Sequence, residues 1–426
     1  MKRIAAYGFV LALLLTLCPL SGRAEASDAP HCRIVVASDL HYIAPALTDG
    51  GAYYQRVLNS GDSKFMPYVE EITDAFFEDV LAERPEALIL TGDLSFNGAM
   101  ESHEALIEKL RTVEAAGIPV LVTTGNHDVY NSNAARYRGD SFSHVPAADT
   151  ESFAALYADF GPGEALSVDG DSLSYVYPLN ESTWVLVLDL NTAHDFCSLS
   201  ADSLRWAEKQ LKAAKKAGIQ VLAAGHQNLF QHSIFRAGYV FGRSEQLSAL
   251  FREYEVPLYL SGHLHIQHIQ TEDGLTEICS SALCSYPCQY GLLTAGNGAI
   301  HYEARQLDMA AWAERNGRSD TIFQDFQAAA GRYMDTHFSS DGSIPDYATA
   351  EEYDVMLTYL KALNRAYFAG DLREIQALDP DGTIAGLWDR GGDLTALYVR
   401  SVLKELGQTH TFWDYSMKGW HPWISM

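Results

Sequence analysis

The sequence predicts an α/β domain followed by an all-helical domain. From residue 32 to residue 305, short apolar runs of strand length alternate with amphipathic segments of helical spacing, and after Arg305 the pattern becomes mainly helical. Strands that alternate with helices are typical of layered α/β folds, in which the helices cover the sheets. We therefore expect the α/β domain to occupy residues 27–305 and the helical domain to occupy residues 306–426.

The strands are predicted from short runs rich in Val, Leu and Ile. Apolar runs of this length indicate strands that are buried on both faces. The five clearest runs are residues 34–36, 87–90, 120–122, 221–223 and 258–260. Shorter alternating patterns predict further strands at residues 173–177, 184–189, 276–282, 290–293 and 299–304.

Three helices are predicted between these strands, at residues 66–83, 99–116 and 200–217. Each has apolar residues at helical spacing and ends near a helix-terminating residue, namely Pro85, Gly117 and Gly218 respectively. The Gly-, Tyr- and Asp-rich stretch of residues 49–62 is instead expected to be a long loop, which could serve as a lid.

The C-terminal helices are predicted at residues 307–312, 323–334, 350–369 and 394–406. In the third, Met356, Leu360, Leu363 and Tyr367 fall on one side, so this helix needs an apolar partner surface. We expect the unit to pack on the α/β domain beside the entrance to the site, and a buttress remote from the site is the alternative. The aromatic tail, with Phe412, Trp413, Trp420 and Trp423, is expected to be a packing element.

The first 26 residues have the features of a secretory signal peptide. Lys2 and Arg3 precede an apolar run over residues 4–17, and Ala24-Glu25-Ala26 offers a cleavage site of small residues. A lipoprotein anchor at Cys18 is disfavoured because Leu17 stands where a small residue is expected. We therefore expect a secreted or cell-envelope protein, with no transmembrane segment in the mature chain.

The net charge argues against one class of partner, and the cysteine spacing argues against a cysteine zinc site. The chain has 30 basic and 55 acidic residues, a net charge of −25, which argues against nucleic acid as a partner because phosphate backbones are bound mainly by Lys and Arg. Five cysteines follow the signal segment, at positions 32, 197, 279, 284 and 288. Their spacing fits no zinc pattern, so one disulfide or buried thiols are expected.

Five short polar clusters follow the five clearest strands. They are Ser-Asp-Leu-His at 38–41, Thr-Gly-Asp at 91–93, Thr-Gly-Asn-His-Asp at 124–128, Ala-Gly-His at 224–226 and Ser-Gly-His-Leu-His at 261–265. Because functional groups gather at strand ends in open sheets, the clusters could converge on one site. Asp or Asn oxygens and imidazoles suit Mn, Fe, Zn or Co. Seven such ligands are too many for one tetrahedral ion, but they fit two ions that share a carboxylate.

The ordered series of clusters resembles the calcineurin-like metallophosphoesterase superfamily over residues 32–305. The resemblance implies an αββα sandwich and two bound metal ions, with Mn, Fe or Zn as the candidates. It also implies seven metal ligands, which are Asp39, His41 and His265 for the first metal, Asn126, His226 and His263 for the second, and Asp93 as the bridge. In the same pattern His127 faces the substrate and assists the leaving group or stabilises the phosphoryl charge, and Asp128 orients His127.

Two further details suggest a branch of this superfamily. The stretch of residues 92–98 is similar to bacterial class III cyclic-nucleotide phosphodiesterases, and the C-terminal addition resembles a group of bacterial envelope-associated members. Purple acid phosphatases carry a Tyr where this chain has Phe96, which argues against a Tyr-bound ferric ion.

Together with the signal peptide, the resemblance implies a secreted dinuclear phosphodiesterase that hydrolyses cyclic nucleotides or related small phosphodiesters through a metal-bridging hydroxide. The expected partner is therefore a small phosphate-ester substrate. A phosphomonoesterase or nucleotidase is the enzymatic alternative. A non-catalytic binding protein with the same fold is the other alternative, and its signature would be lost ligands.

Overall fold

The computed structural model describes residues 32–60, 63–192, 196–296, 299–338 and 343–416. The predicted signal peptide, Trp420 and Trp423 lie outside these residues. The fifteen described strands are, in chain order, β1 Cys32–Ala37, β2 Ala87–Leu90, β3 Val120–Val122, β4 Ala135–Arg138, β5 Ser141–His144, β6 Ser167–Val168, β7 Tyr175–Asn180, β8 Thr183–Val187, β9 Gln220–Ala224, β10 Leu258–Ser261, β11 His268–Glu272, β12 Leu275–Cys279, β13 Gln289–Gly296, β14 Ala299–Gln306 and β15 Phe412–Ser416.

The described α-helices alternate with strands in the first part of the chain and dominate the last part. They are α1 Ala52–Ser60, α2 Val69–Glu83, α3 Met100–Ala115, α4 Thr150–Leu156, α5 Ala201–Ala217, α6 Ser244–Glu253, α7 Met309–Arg315, α8 Phe326–Phe338, α9 Ala350–Ala369, α10 Thr383–Leu387 and α11 Leu394–Val402. The three predicted helices of the α/β part are confirmed as α2, α3 and α5. The side chain of Ser200 caps α5, and Gly218 ends it in the left-handed conformation.

Two mixed sheets form the centre of the molecule. The first has the order β15-β14-β13-β1-β2-β3, and the second has the order β11-β12-β10-β9-β8-β7-β6. Strands β1, β2 and β3 are parallel, as are β8, β9, β10 and β12. The carboxyl ends of the parallel strands in each sheet therefore meet along one edge, which is where the polar clusters begin.

The sheets pack face to face, with helices on both outer surfaces. Apolar residues from both sheets, including Ile34 and Val36 from the first and Leu222 and Leu260 from the second, form the core between them. A second core lies between the first sheet and α2, α3, α7 and α8, and a third lies between the second sheet and α5 and α6. This arrangement confirms the predicted αββα sandwich.

The prediction that residues 49–62 form a long loop was wrong, because α1 occupies most of this stretch. Tyr54 and Leu58 lie one helical turn apart and are both buried. The ring of Tyr54 packs against that of Tyr137, with 5.3 Å between the ring centroids. A short stretch with few apolar residues gives a weak periodic signal, and here the packing partner decides the structure.

The helical character of the C-terminal region is confirmed, and its helices pack on the sandwich. Helices α7 and α8 complete the core outside the first sheet with Trp312 and Phe326. The predicted apolar side of α9 is buried together with Ile266 and Cys279 of the second sheet and its connections. The junction between the two parts is tied to the first sheet, since Leu307 N–H donates to Cys288 O at 3.0 Å.

One short strand, β15, adds to this region and pairs antiparallel with β14 at the edge of the first sheet. Its residues alternate between half-buried and exposed, as expected for an edge strand. The rings of Trp413 and Tyr415 stack at 5.5 Å and pack against the core between the sheets. The expectation of a packing role is therefore confirmed for this part of the aromatic tail.

The five described cysteines are all buried thiols. The buried-thiol alternative is thus confirmed over a disulfide within the described chain. Burial raises the pKa of Cys197 to about 11, so this thiol stays protonated at neutral pH.

Among the described residues, no helix combines the length and the apolar character needed to cross a bilayer.

Candidate metal centre

The five polar clusters lie in loops that leave the carboxyl ends of β1, β2, β3, β9 and β10. Backbone hydrogen bonds connect these loops to one another. His41 N–H donates to Asp93 O at 2.9 Å, Asp39 N–H donates to Gly92 O at 3.1 Å, and Gly262 N–H donates to the carbonyl of His226 at 3.0 Å. Segments that are far apart in the sequence and belong to both sheets therefore converge on one place.

Five of the predicted ligands adopt the left-handed backbone conformation. The φ angles are 54° for Asp39, 46° for His41, 48° for Asp93, 71° for His263 and 61° for His265. This conformation is uncommon for residues other than glycine, and a strained residue costs about 1–3 kcal/mol. The clustering of five such residues here indicates that the fold holds them in place to orient their side chains, as is typical of functional sites.

The predicted ligands of the first metal form one tight group. Oδ1 of Asp39 lies 3.2 Å from Nε2 of His265 and 3.7 Å from Nε2 of His41. The two Nε2 atoms of these histidines are 3.3 Å apart. Oδ2 of Asp93 lies 3.6 Å from Nε2 of His41, so Asp93 belongs to the group as well.

The predicted ligands of the second metal form an adjacent group that shares Asp93. Oδ2 of Asp93 lies 3.4 Å from Nε2 of His226, and Oδ1 of Asn126 lies 3.1 Å from the same nitrogen. His263 completes the group. The structure therefore brings together all seven residues that the sequence suggested, with Asp93 between the two groups.

Hydrogen bonds at the far side of the rings fix which nitrogen of two histidines faces the site. Nδ1 of His226 donates to Thr91 O at 2.7 Å, which leaves Nε2 as the ligand atom. Nε2 of His263 donates to Gly238 O at 2.9 Å, which leaves Nδ1 as the ligand atom. Partners of this kind orient metal-binding imidazoles and raise their basicity.

The electrostatics of the groups fit bound cations. Asp39 and Asp93 are buried carboxylates, and Oδ1 of Asp39 is a buried oxygen without a hydrogen-bond partner among the described residues. Nε2 of His41 and Nε2 of His265 lie 3.3 Å apart and both face that carboxylate, an arrangement in which the three atoms can share one cation. The donor set of Asp, Asn and His therefore fits two ions of the Mn, Fe or Zn class.

The pKa values of His226 and His41 reflect the buried carboxylates around them and the burial of the site. Burial lowers the pKa of His226, but the nearby carboxylate of Asp93 outweighs this effect and raises it to about 9. Burial also lowers the pKa of His41 well below its usual value. The nearby carboxylates therefore favour positive charge at His226.

His127 faces the cleft next to the two groups, as predicted. Its backbone N–H donates to Oδ1 of Asp93 at 2.7 Å, and its Nδ1 donates to Phe96 O at 2.7 Å. Nε2 lies 4.0 Å from Oδ2 of Asp93, and the side chain is 31% exposed. The ring is thus anchored on one side and open to a substrate on the other.

The prediction that Asp128 orients the ring of His127 was wrong. The carboxylate of Asp128 accepts hydrogen bonds from the backbone N–H groups of Leu94, Ser95 and Gly125, at 3.1, 2.8 and 2.8 Å. It therefore fixes the loops after β2 and β3 to each other. A backbone carbonyl, for which the sequence has no signal, holds the imidazole instead.

Aromatic residues from distant segments form the wall of a cleft of about 460 Å³ above the metal ligands. They are Phe196, Tyr239, Phe338 and Phe368. The ring of Tyr239, in the segment after His226, packs against that of His263, with 5.1 Å between centroids. The sequence had no signal for Phe338 and Phe368, which belong to α8 and α9.

Glycine at position 262 allows the loops to approach closely. A methyl group there would lie 1.8 Å from Oγ of Ser38 and 2.5 Å from Oδ2 of Asp39. We expect Gly262→Ala to lower the free energy of unfolding by about 1–3 kcal/mol and to reduce metal retention. Chemical denaturation and metal analysis measure these effects. Gly170→Ala is the matched control because its added methyl meets nothing within 4 Å, and an equal loss in both variants would contradict the expectation.

The chain is similar to a known family and to solved structures. The model of the family described as calcineurin-like phosphoesterase matches residues 32–267, more than half of the chain. A dimetal phosphatase from Danio rerio is similar in structure, with 15% identity, a TM-score of 0.48, and coverage of 65% of this chain and 96% of that one. A purple acid phosphatase from yellow lupin seeds has 14% identity, a TM-score of 0.44, and coverage of 65% and 52%. Among curated proteins, no sequence matched the chain.

Proposed function

Because this chain belongs to the calcineurin-like phosphoesterase family, we propose that it is an exported metal-dependent phosphodiesterase that hydrolyses cyclic nucleotides or related small phosphodiesters. The observation that carries the proposal is the complete set of ligands on both sides of Asp93, with His127 open to the cleft. A non-catalytic member of the family is disfavoured because no ligand is lost. Export rests on the signal-like residues 1–26, and N-terminal sequencing of the mature protein tests it.

The seven ligands would hold two ions, for which Mn, Fe and Zn are the candidates. When bound, such ions supply positive charge at the phosphate and lower the pKa of water for the attack on phosphorus. The contribution of the protein is to fix the ligands before the substrate arrives. The left-handed backbone at Asp39, His41 and Asp93 and the anchored ring of His226 provide that rigidity.

His127 is positioned to assist the departing ester oxygen. Its Nδ1–H remains bonded to Phe96 O, so the ring keeps its orientation whether or not Nε2 carries a proton. A proton on Nε2 faces the cleft and can pass to a leaving alkoxide. This help matters most for poor leaving groups, such as the ribose oxygen of a cyclic nucleotide.

The aromatic wall of the cleft favours an ester substrate that carries a planar or apolar group. Phe338 and Phe368 meet edge to face, with 5.4 Å between centroids, and both line the cleft that contains Asp93 and His127. Stacking on aromatic rings accommodates a nucleobase without requiring a particular base. These two residues belong to the C-terminal helices, which supports the expectation that this unit packs beside the entrance to the site.

A substrate panel with Mn²⁺ tests the proposed function. Cyclic nucleotides, glycerophosphodiesters, phospholipid headgroup diesters and the corresponding monoesters should be compared by kcat/KM. We expect at least one small diester to exceed its monoester by about tenfold or more. A preference for monoesters would favour the phosphatase alternative, and no hydrolysis by protein that retains both metals would favour a binding role.

Phe368→Ala tests the contribution of the helical unit to specificity. Removing the ring widens the cleft, so we expect the ratio of kcat/KM for a bulky aryl diester to that for a small cyclic diester to rise by about tenfold. Phe412→Ala is the matched control, since Phe412 is exposed on β15, outside the cleft. An unchanged ratio in Phe368→Ala would leave the helices with only a supporting role.

A further inference from the structure

A pocket of about 400 Å³, called here the helical pocket, adjoins the cleft above the metal ligands. Its walls come from α8, α9 and α11 and from the connections that follow β9 and β10. Four residues line both the pocket and the cleft, namely Tyr239, Leu264, Phe338 and Phe368. Leu264 stands between the predicted ligands His263 and His265, so the pocket begins directly beside the candidate metal centre.

The lining of the helical pocket is aromatic and aliphatic. Leu360 and Ile266 are buried in its wall, and the rings of Tyr367 and Tyr398 meet edge to face with 6.0 Å between centroids. None of the described lining residues is a carboxylate, a lysine or an arginine. The histidine at its edge, His337, has both ring nitrogens within hydrogen-bond distance of backbone carbonyls, at 3.0 and 3.1 Å. Such a pocket suits an uncharged planar or apolar group.

One polar side chain in this pocket has an unused donor. Asn364 of α9 is only 2% exposed, and it lines the pocket. The hydroxyl of Tyr398 donates to Oδ1 of Asn364 at 2.9 Å, which orients the amide. Nδ2 of Asn364 donates to none of the described residues. A buried amide donor without an acceptor is costly, so its presence here points to an acceptor on a bound molecule.

The unused donor distinguishes between the two kinds of group that an aromatic pocket can hold. An alkyl chain has no acceptor and would leave Nδ2 of Asn364 unpaired. A nucleobase is planar and uncharged, stacks on aromatic rings, and carries ring nitrogens or carbonyl oxygens that accept hydrogen bonds. In a nucleotide only the ribose separates the base from the phosphate, which fits a pocket that adjoins the metal cleft.

We propose that the helical pocket binds the nucleobase of a nucleotide ester and that Nδ2 of Asn364 donates to an acceptor on the edge of the base. The inference rests on the proposed phosphodiesterase function and narrows its substrate class to nucleotide esters. Asn364 is then a specificity-determining residue. Helices α8, α9 and α11 follow residues 32–267, the part that matches the family, so the C-terminal region supplies most of this base site.

Binding of adenosine tests the pocket without a phosphate group or hydrolysis. Full-length protein is titrated by calorimetry with adenosine and, separately, with n-octanol. We expect the wild type to bind adenosine and Asn364→Leu to bind it about fivefold more weakly or worse, because leucine has a similar size but no donor. Asn180→Leu is the matched control, since Asn180 also accepts a hydroxyl hydrogen bond, from Ser182 at 3.0 Å, but lies outside the pocket.

The Asn180→Leu control should bind adenosine as the wild type does. Equal adenosine affinity in the wild type and folded Asn364→Leu would overturn the base site, and so would binding of octanol without binding of adenosine. If Asn364→Leu does not fold, Thr395→Phe replaces it. Thr395 is a partly exposed residue of α11 that lines the pocket, so a ring at this position fills the space and should abolish adenosine binding.

The ratio of two cyclic esters shows whether the pocket acts during hydrolysis. With Mn²⁺ present, 3′,5′-cyclic AMP is compared with the same cyclic sugar phosphate lacking the base. We expect the ratio of their kcat/KM values to fall about fivefold or more in Asn364→Leu, while the base-free ester is hydrolysed at the wild-type rate. An unchanged ratio would contradict the base site. If the wild type hydrolyses neither ester, the phosphodiesterase function fails, and the adenosine titration still decides the base site.

Discussion

Asp93→Asn should remove at least one metal ion per chain and nearly all turnover. Oδ2 of Asp93 lies 3.4 Å from His226 in one group of ligands and 3.6 Å from His41 in the other, so both ions depend on this carboxylate. An amide has no negative charge to share between two cations. Because the loss of a single charge-stabilising group already costs roughly 10²–10³-fold in kcat, we expect a loss of more than about 10³-fold. Metal analysis and steady-state kinetics measure both effects.

Asp169→Asn is the control for this substitution. Asp169 is also a buried carboxylate, but it accepts hydrogen bonds from serine hydroxyls, including Ser172 at 2.7 Å, and lies outside the metal groups. Its replacement should leave metal content and kcat close to those of the wild type. Two retained ions and normal activity in Asp93→Asn would contradict the dinuclear model.

His127→Ala should retain both metals and lower kcat by roughly 10²-fold or more. The ring of His127 is anchored to Phe96 O and open to the cleft, and its side chain is not among the seven ligands. Its backbone N–H still donates to Asp93 after the substitution, so the metal groups should be preserved. Metal analysis and single-turnover kinetics with a cyclic nucleotide measure the two effects separately.

The leaving group distinguishes the possible roles of His127. If the imidazole donates a proton, the loss should be large for an alkyl ester and small for a nitrophenyl ester, whose leaving oxygen is a weak base. An equal loss for both esters would exclude proton donation and leave stabilisation of charge on the phosphate. His301→Ala, at an exposed position of β14, should leave both rates unchanged.

The sequence by itself determined the sandwich and the identity of the residues that meet in the candidate metal centre. Short apolar runs specify buried strands, and parallel strands bring their carboxyl ends to one edge of the sheet, so polar clusters after five such strands converge. The oxygen and nitrogen donor atoms of Asp39, Asp93 and His226 then limit which metal ions these residues can bind. The end of α2 and the bounds of α5 and α9 also followed from local signals, because caps, glycines and apolar spacing act over only a few residues.

Only the tertiary structure decided the contacts between side chains that are distant in the sequence. The carboxylate of Asp128 accepts hydrogen bonds from the loop after β2 and does not contact the ring of its neighbour His127, because the buried backbone N–H groups of that loop need an acceptor. Phe338 and Phe368 reached the cleft through the docking of α8 and α9. His268 contacts Glu405, which lies 137 residues further along the chain. Such pairings depend on how whole elements pack, and periodicity and local spacing carry no information about the packing partner.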